Sequence, residues 1–110
     1  MLRVVIYLAI LSVTGPASAA AQDAKTRGEK VYADQKCALC HSIDGKGNAK
    51  GPMDEALNTL SSDEIRAWII DAKGMTAKTK ATRKPAMKVF NLPKEDVDAL
   101  VAYLSAMKKK

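Results

Sequence analysis

The chain has 110 residues and a formal charge of +6 at pH 7; 47% of it is hydrophobic, with two cysteines and one histidine. That apolar share excludes a disordered chain, two cysteines exclude a disulfide-dense scaffold, and a single histidine excludes any site built on two imidazoles of this chain.

Residues 1–21 have the layout of a cleaved secretory signal. Arg3 gives a short basic start, an apolar run follows over residues 4–13, Gly15-Pro16 breaks it, and Ala17-Ser18-Ala19 and Ala19-Ala20-Ala21 both suit cleavage. A membrane anchor needs about 20 apolar residues, so this run is too short for one. Export is therefore expected, with a periplasmic location for the mature chain. Residues 22–110 then form one domain of charge +5, because Arg3 is the one charged side chain removed. A domain this small buries a limited share of its surface and usually needs a staple. A disulfide between Cys37 and Cys40 would be a poor one, because a bridge across so short a loop constrains little. A cofactor with a large apolar face would supply the missing core.

Strand signals are weak, and helical periodicity is clear in three places. The first is DAKTRGEKVYADQ over residues 23–35, with Ala24, Gly28, Val31 and Tyr32 on one side. The loop HSIDGKGNAKGPMDEAL follows, in which residues 54–60 could form a short helix. The second helix is expected in SSDEIRAWIIDAKG: Ser61 and Glu64 have capping-box spacing, Ile65, Trp68 and Ile69 form the apolar stripe, and Gly74 ends it. Next, MTAKTKATRKPAMKVF lacks an apolar period and is expected to be irregular, a long loop that needs an object to wrap around. The third helix is expected in NLPKEDVDALVAYLSAMKKK, with Pro93 in the first turn, acids after it, and Val97, Leu100, Val101 and Leu104 facing inward.

Both cysteines and the histidine fall in KCALCHSIDG. Cys37, Ala38, Leu39, Cys40 and His41 form C-x-x-C-H, the attachment signature of a c-type haem. Two thiols a helical turn apart reach the two vinyl groups of one porphyrin, and the adjacent histidine can bind its iron. A thioredoxin-like redox pair would want a βαβ frame, which the pattern does not show. A structural zinc site would want four ligands, and here there are three, crowded together. Chance clustering would leave both irregular loops without a centre.

From Gly28 to Leu104 the chain resembles class I cytochrome c, the small exported monohaem electron carriers. GEKVY resembles the family's first helix and ALVAYL its last, which implies that Leu100 and Tyr103 meet Gly28 and Tyr32. The implied fold is all-α, a small cytochrome c fold of three main helices plus irregular loops wrapped around one covalently bound haem c. GPM at residues 51–53 resembles the family's Gly-Pro, and implies that the Pro52 carbonyl accepts a hydrogen bond from His41. The residues alone leave the second axial ligand open between Met75, Met87 and an open or lysine-bound site. The family places its ligand before the final helix in a stretch such as K-M-P-x-F. KPAMKVFNL is similar, with Met87 three residues before Phe90, although Pro85 precedes the methionine where the family's proline follows it. The resemblance thus implies a one-electron carrier without catalytic residues, its iron held by His41 and Met87 and its porphyrin by Cys37 and Cys40. A haem enzyme or gas-sensing subunit with a labile or absent sixth ligand is the alternative.

Lys73, Lys78, Lys80, Arg83, Lys84 and Lys88 follow one another with no acid between them. A solvated, solubilising loop would look the same. Beside a haem edge, however, it would form a basic rim that steers acidic redox partners. Such a rim would also be drawn to an anionic membrane surface. Nucleic acid is not expected for an exported protein, and a monomer is.

Overall fold

The computed structural model describes residues 16–107, and within them the chain closes on itself through one helix crossing. Helix α1 (Pro16–Asp34) packs across α5 (Lys94–Ala106). Gly28 lies at the crossing. A Cβ placed on it would stand 2.5 Å from Tyr103 Cβ and 2.7 Å from the Ala99 carbonyl carbon, so the two backbones can approach only because that atom is missing. On either side of this contact the helices are tied again. The rings of Tyr32 and Tyr103 lie 5.7 Å apart with a tilt of 58°, and Arg27 meets Asp96 at 2.7 Å. Tyr103 thus meets Gly28 and Tyr32 as the resemblance implied, while the second residue against Gly28 is Ala99, and Leu100 lies in the core on which Tyr32 packs.

Helix α1 begins earlier than expected, at Pro16, a residue suited to a first helical turn. It therefore runs through the expected cleavage region, and the expected signal segment up to residue 15 lies outside the described residues. Among the described residues no helix is long and apolar enough to cross a membrane.

Lys36, at φ 56°, turns the chain out of α1 into a single 3-10 turn, Cys37–Leu39. The glycine-rich loop then carries a minimal antiparallel pair, β1 (Ser42–Ile43) and β2 (Lys46–Gly47), in the register Ser42 to Gly47. Pro52 adds a parallel bridge to Ser42. The short helix expected near residues 54–60 is present as α2 (Asp54–Thr59).

Helix α3 (Ser62–Ile70) starts as expected: the Ser61 hydroxyl accepts from the Glu64 N–H, and the Glu64 carboxylate accepts from the Ser61 N–H. Its end differs from the expectation. Asp71 closes α3 and at once caps α4 (Ala72–Thr79), its carboxylate accepting from the Gly74 N–H at 3.1 Å. Gly74 therefore sits in the first turn of a new helix rather than ending the old one. Residues 75–79, expected to be irregular, are helical. Periodicity could not reveal α4, because Ala72 is its one buried residue and most of the others face solvent. Thr76 and Thr79 satisfy their hydroxyls on the carbonyls of Ala72 and Met75, both at 2.7 Å. Beyond Lys80 the chain is irregular up to Pro93, as expected.

Val31, Leu57, Ile65, Ile69, Val97, Leu100, Val101 and Leu104 form the core. Helix α3 meets α5 through it, and outside it Asp98 binds both Arg66 and Lys94. None of the described large side chains is completely sealed from solvent. The cause is visible in the layout: Leu57, Ile65, Ile69, Leu100 and Leu104 are also part of a cavity wall. The core is a shell with one open face.

Candidate functional site

The C-x-x-C-H segment is a single turn of helix closed on one carbonyl. The Cys37 carbonyl accepts from the N–H groups of Cys40 at 3.1 Å and His41 at 3.0 Å, which puts the two thiols and the imidazole on consecutive corners of the turn. Both thiols are free, Cys37 half-buried and Cys40 exposed. Burial pushes the Cys37 thiol pKa up.

Asn48 pins this turn from the glycine-rich loop. Its N–H is shared between the carbonyls of His41 (2.9 Å) and Ala38 (3.0 Å), while its amide donates to the Leu39 carbonyl at 2.9 Å. The sequence reading passed over Asn48. An asparagine in a run of Gly and Lys offers one usable cue, namely that its amide can stand in for a backbone group.

The carbonyl facing His41 belongs to Gly51, not to Pro52. Nδ1 of His41 lies 3.3 Å from the Gly51 oxygen, a little beyond the usual 2.7–3.2 Å range. The correction has a backbone cause. The Ser42 N–H donates to the Gly51 carbonyl at 3.0 Å, and the Met53 N–H donates to the Ser42 carbonyl at 2.9 Å. Successive carbonyls of an extended segment point to opposite sides, so this pairing turns that of Gly51 toward the motif. Burial lowers the His41 pKa, the Gly51 contact opposes this, and the Arg83 cation adds to the lowering. The net direction favours the neutral imidazole. With its proton on Nδ1 toward Gly51, its Nε2 keeps a lone pair for a metal.

Arg83 reaches across from the irregular segment and donates to the Cys40 carbonyl. A Cβ on Gly51 would run into the Cys40 carbonyl itself and into this guanidinium, so the backbone approach to Cys40 is what requires glycine here, and the arginine shares the space it leaves.

These groups share a cavity of about 710 Å³, within the roughly 300–1,000 Å³ typical of small-molecule sites. Cys37, Cys40, His41 and Met87 all line it. So do Met53, Trp68 and Phe90, while Met75 and Met107 do not. Pro52 lines the wall without being the partner of His41. Tyr32 also borders the cavity, and its buried hydroxyl has no hydrogen-bond partner among the described residues. Burial first, and then the neighbouring Cys37 and Tyr103, push that phenol up to about 12. A buried donor without an acceptor costs about 1–3 kcal/mol, which suits a cavity built for a guest that brings polar atoms. Two thiols, one imidazole, the thioethers of Met53 and Met87 and an apolar wall fit a covalently held iron porphyrin.

The basic residues are exposed, as expected, from Lys73 to Lys88. Arg83 and Lys88 border the cavity, and Lys36 and Lys50, which the sequence reading did not place there, join them. Lys88 also stands 5.1 Å over the Phe90 ring. The exposed Leu39 gives this border an apolar point.

The family model described as Cytochrome c matches residues 25–108. Cytochrome c-555 of Methylococcus capsulatus (strain Bath) is 29% identical over 99 residues, covering 88% of this chain and 74% of that protein. Cytochrome c oxidase subunit 2 of Alkalihalophilus pseudofirmus (strain OF4) is 26% identical over 91 residues, covering 74% of this chain but 25% of that protein. No solved structure is a significant match.

Proposed function

The chain belongs to the cytochrome c family, and from that footing we propose that it is a diffusible one-electron carrier working outside the cytoplasm. In this reading residues 1–21 are removed on export and residues 22–110 form the periplasmic domain, a monomer. Cys37 and Cys40 would hold one haem c through thioethers, and His41 and Met87 would be the protein ligands of its iron. The observation that carries the reading is that both thiols, the imidazole and the Met87 thioether border one apolar cavity.

Each group has a separate task. His41 supplies a neutral nitrogen donor, oriented by the Gly51 carbonyl in place of the Pro52 carbonyl that the resemblance implied. Met87 supplies a thioether, a weak donor to ferric iron, so the pair raises the reduction potential. Filling both axial positions leaves none for oxygen or peroxide, which favours outer-sphere transfer over catalysis. Trp68, Leu57, Ile65, Ile69, Leu100 and Leu104 keep water from the inner wall. Bound there, the haem supplies a one-electron iron couple.

Docking is the task of the exposed border. Lys36, Lys50, Arg83 and Lys88 line the cavity, and Lys73, Lys78, Lys80 and Lys84 extend the positive field around it. Such a field speeds encounter with acidic redox partners without tight binding, and an anionic membrane surface would feel it too. Similarity to one quarter of a cytochrome c oxidase subunit supports a second arrangement, in which the domain is held within a larger oxidoreductase. Copurification with a partner would identify that arrangement.

The reduced visible spectrum and the denatured mass of the exported protein test the proposal together. A low-spin spectrum that ignores carbon monoxide, with haem mass retained after denaturation, is expected. Replacing Met87 with Ala should remove the weak far-red sulfur–iron band, while Met75→Ala should keep it. A high-spin haem that binds carbon monoxide would favour the enzyme or gas-sensor alternative, and colourless protein of bare polypeptide mass would end the reading.

A further inference from the structure

The segment that carries Met87 has very little to hold it. Among the described residues, residues 82–92 make no backbone–backbone hydrogen bond with any part of the chain. Residues 81–86 are exposed throughout, so apolar burial does not fix them either. Among the described residues, one hydrogen bond ties this segment to the rest of the protein, and it is the bond from the Arg83 guanidinium to the Cys40 carbonyl.

We propose that Arg83 is a clasp that closes the Met87-bearing segment onto the C-x-x-C-H turn, and is thereby the positioning residue for the sixth iron ligand. This rests on the reading of Met87 as that ligand. Three features of the chain support it. The bond is charge-assisted on the donor side, and so stronger than an amide–carbonyl bond. It lands on the backbone between the second thiol and the histidine, the part of the chain that attachment would immobilise most. Gly51 leaves room for it, since a Cβ there would meet both the Cys40 carbonyl and the guanidinium bonded to it. Met87 lies four positions after Arg83, a span of at most roughly 14 Å when fully extended, so pinning one confines the other to the cavity mouth. Lysine would be a poor substitute, because its single ammonium lacks the planar fork that lies flat against the turn.

The test uses the holoprotein in its ferric form and titrates it with imidazole, which competes for the sixth position and is read in the visible spectrum. Backbone amide order parameters of residues 81–88, measured on the ferrous protein, give a second readout that needs no added ligand. Arg83→Ala is expected to bind imidazole about five- to tenfold more tightly, the factor expected when one exposed charge-assisted hydrogen bond is lost. Order parameters over residues 81–88 should fall while those of α1 and α5 stay unchanged. Arg83→Lys should fall between wild type and Arg83→Ala. Should Arg83→Ala also loosen α1 and α5, Arg83→Lys decides by the same two readouts. Loss of the sulfur–iron band in Met87→Ala, together with wild-type imidazole affinity and order parameters in Arg83→Ala, overturns the clasp alone. A band that survives Met87→Ala overturns the ligand assignment, and the positioning role with it.

Discussion

Adding one carbon at the helix crossing should move stability in the direction opposite to helix propensity. On an exposed helix face, replacing Gly with Ala stabilises by about 1 kcal/mol. At Gly28 the new carbon would lie 2.5 Å from Tyr103 Cβ and 2.7 Å from the Ala99 carbonyl carbon. Carbon atoms pack at about 3.5–4.0 Å, so α1 and α5 must part by roughly 1 Å to admit it. Neither obstacle can swing away, since one is backbone and the other is the first atom of a side chain. Overpacking typically costs about 1–3 kcal/mol; against backbone that cannot yield the upper part of that range, about 2–3, applies, and the propensity gain offsets about 1 of it. Gly28→Ala should therefore be destabilised by about 1–2 kcal/mol, or about 5–15 °C in Tm for a domain of this size. Gly28→Val should be worse. Thermal unfolding of the holoprotein followed by circular dichroism measures both. A Gly28→Ala protein that melts at or above the wild-type temperature would show that the helices do not meet as described.

Other expectations follow from the same contacts. Ser61→Ala removes one half of the capping box on α3 and should cost about 1 kcal/mol in denaturant unfolding, with little change in the visible spectrum. Leu100→Ala cuts a side chain shared by core and cavity wall, and should cost about 2–5 kcal/mol in the same assay. Asp98 is held below the ordinary carboxylate range, first by the hydrogen bond from Lys94 and then by that from Arg66. Its folded pKa is depressed, so its contribution is present above the unfolded value and disappears as pH falls through the folded one. Asp98→Asn should thus be less stable than wild type at neutral pH, with the gap closing below about pH 4 as the unfolded-state carboxyl protonates too. Electron transfer to an acidic partner should slow steeply between low and high ionic strength. A flat salt profile would remove the docking role of the basic border.

Which parts of this protein could be read from its residues follows from how local their physics is. C-x-x-C-H names its cofactor because thiol spacing and an adjacent imidazole are properties of five consecutive residues. The capping box of α3, the apolar stripe of α5 and the short α2 are equally local, as each depends on side chains within a turn or two. The Gly28 contact was accessible through resemblance, because a glycine four residues before an aromatic is a repeated feature of the family's helix crossing. Helix α4 escaped notice because it buries almost nothing, and its start depends on Asp71 serving two helices at once.

The errors and omissions at the site share one cause. Whether Gly51 or Pro52 offers its carbonyl to His41 depends on which way a two-residue pairing with Ser42 turns the backbone. Asn48 matters because a hairpin brings it under the motif, and Arg83 because a segment 43 residues further on folds back over Cys40. Residue types and their spacing pointed to the cofactor, to His41 as its proposed ligand, to the helical class and to the excess of positive charge. Tertiary structure alone decided which carbonyl faces the imidazole, which methionines border the cavity and what ties the Met87 segment down. Those contacts join residues far apart in the chain, and hydrogen-bond direction is set by where the backbone turns, which no local pattern of side chains encodes.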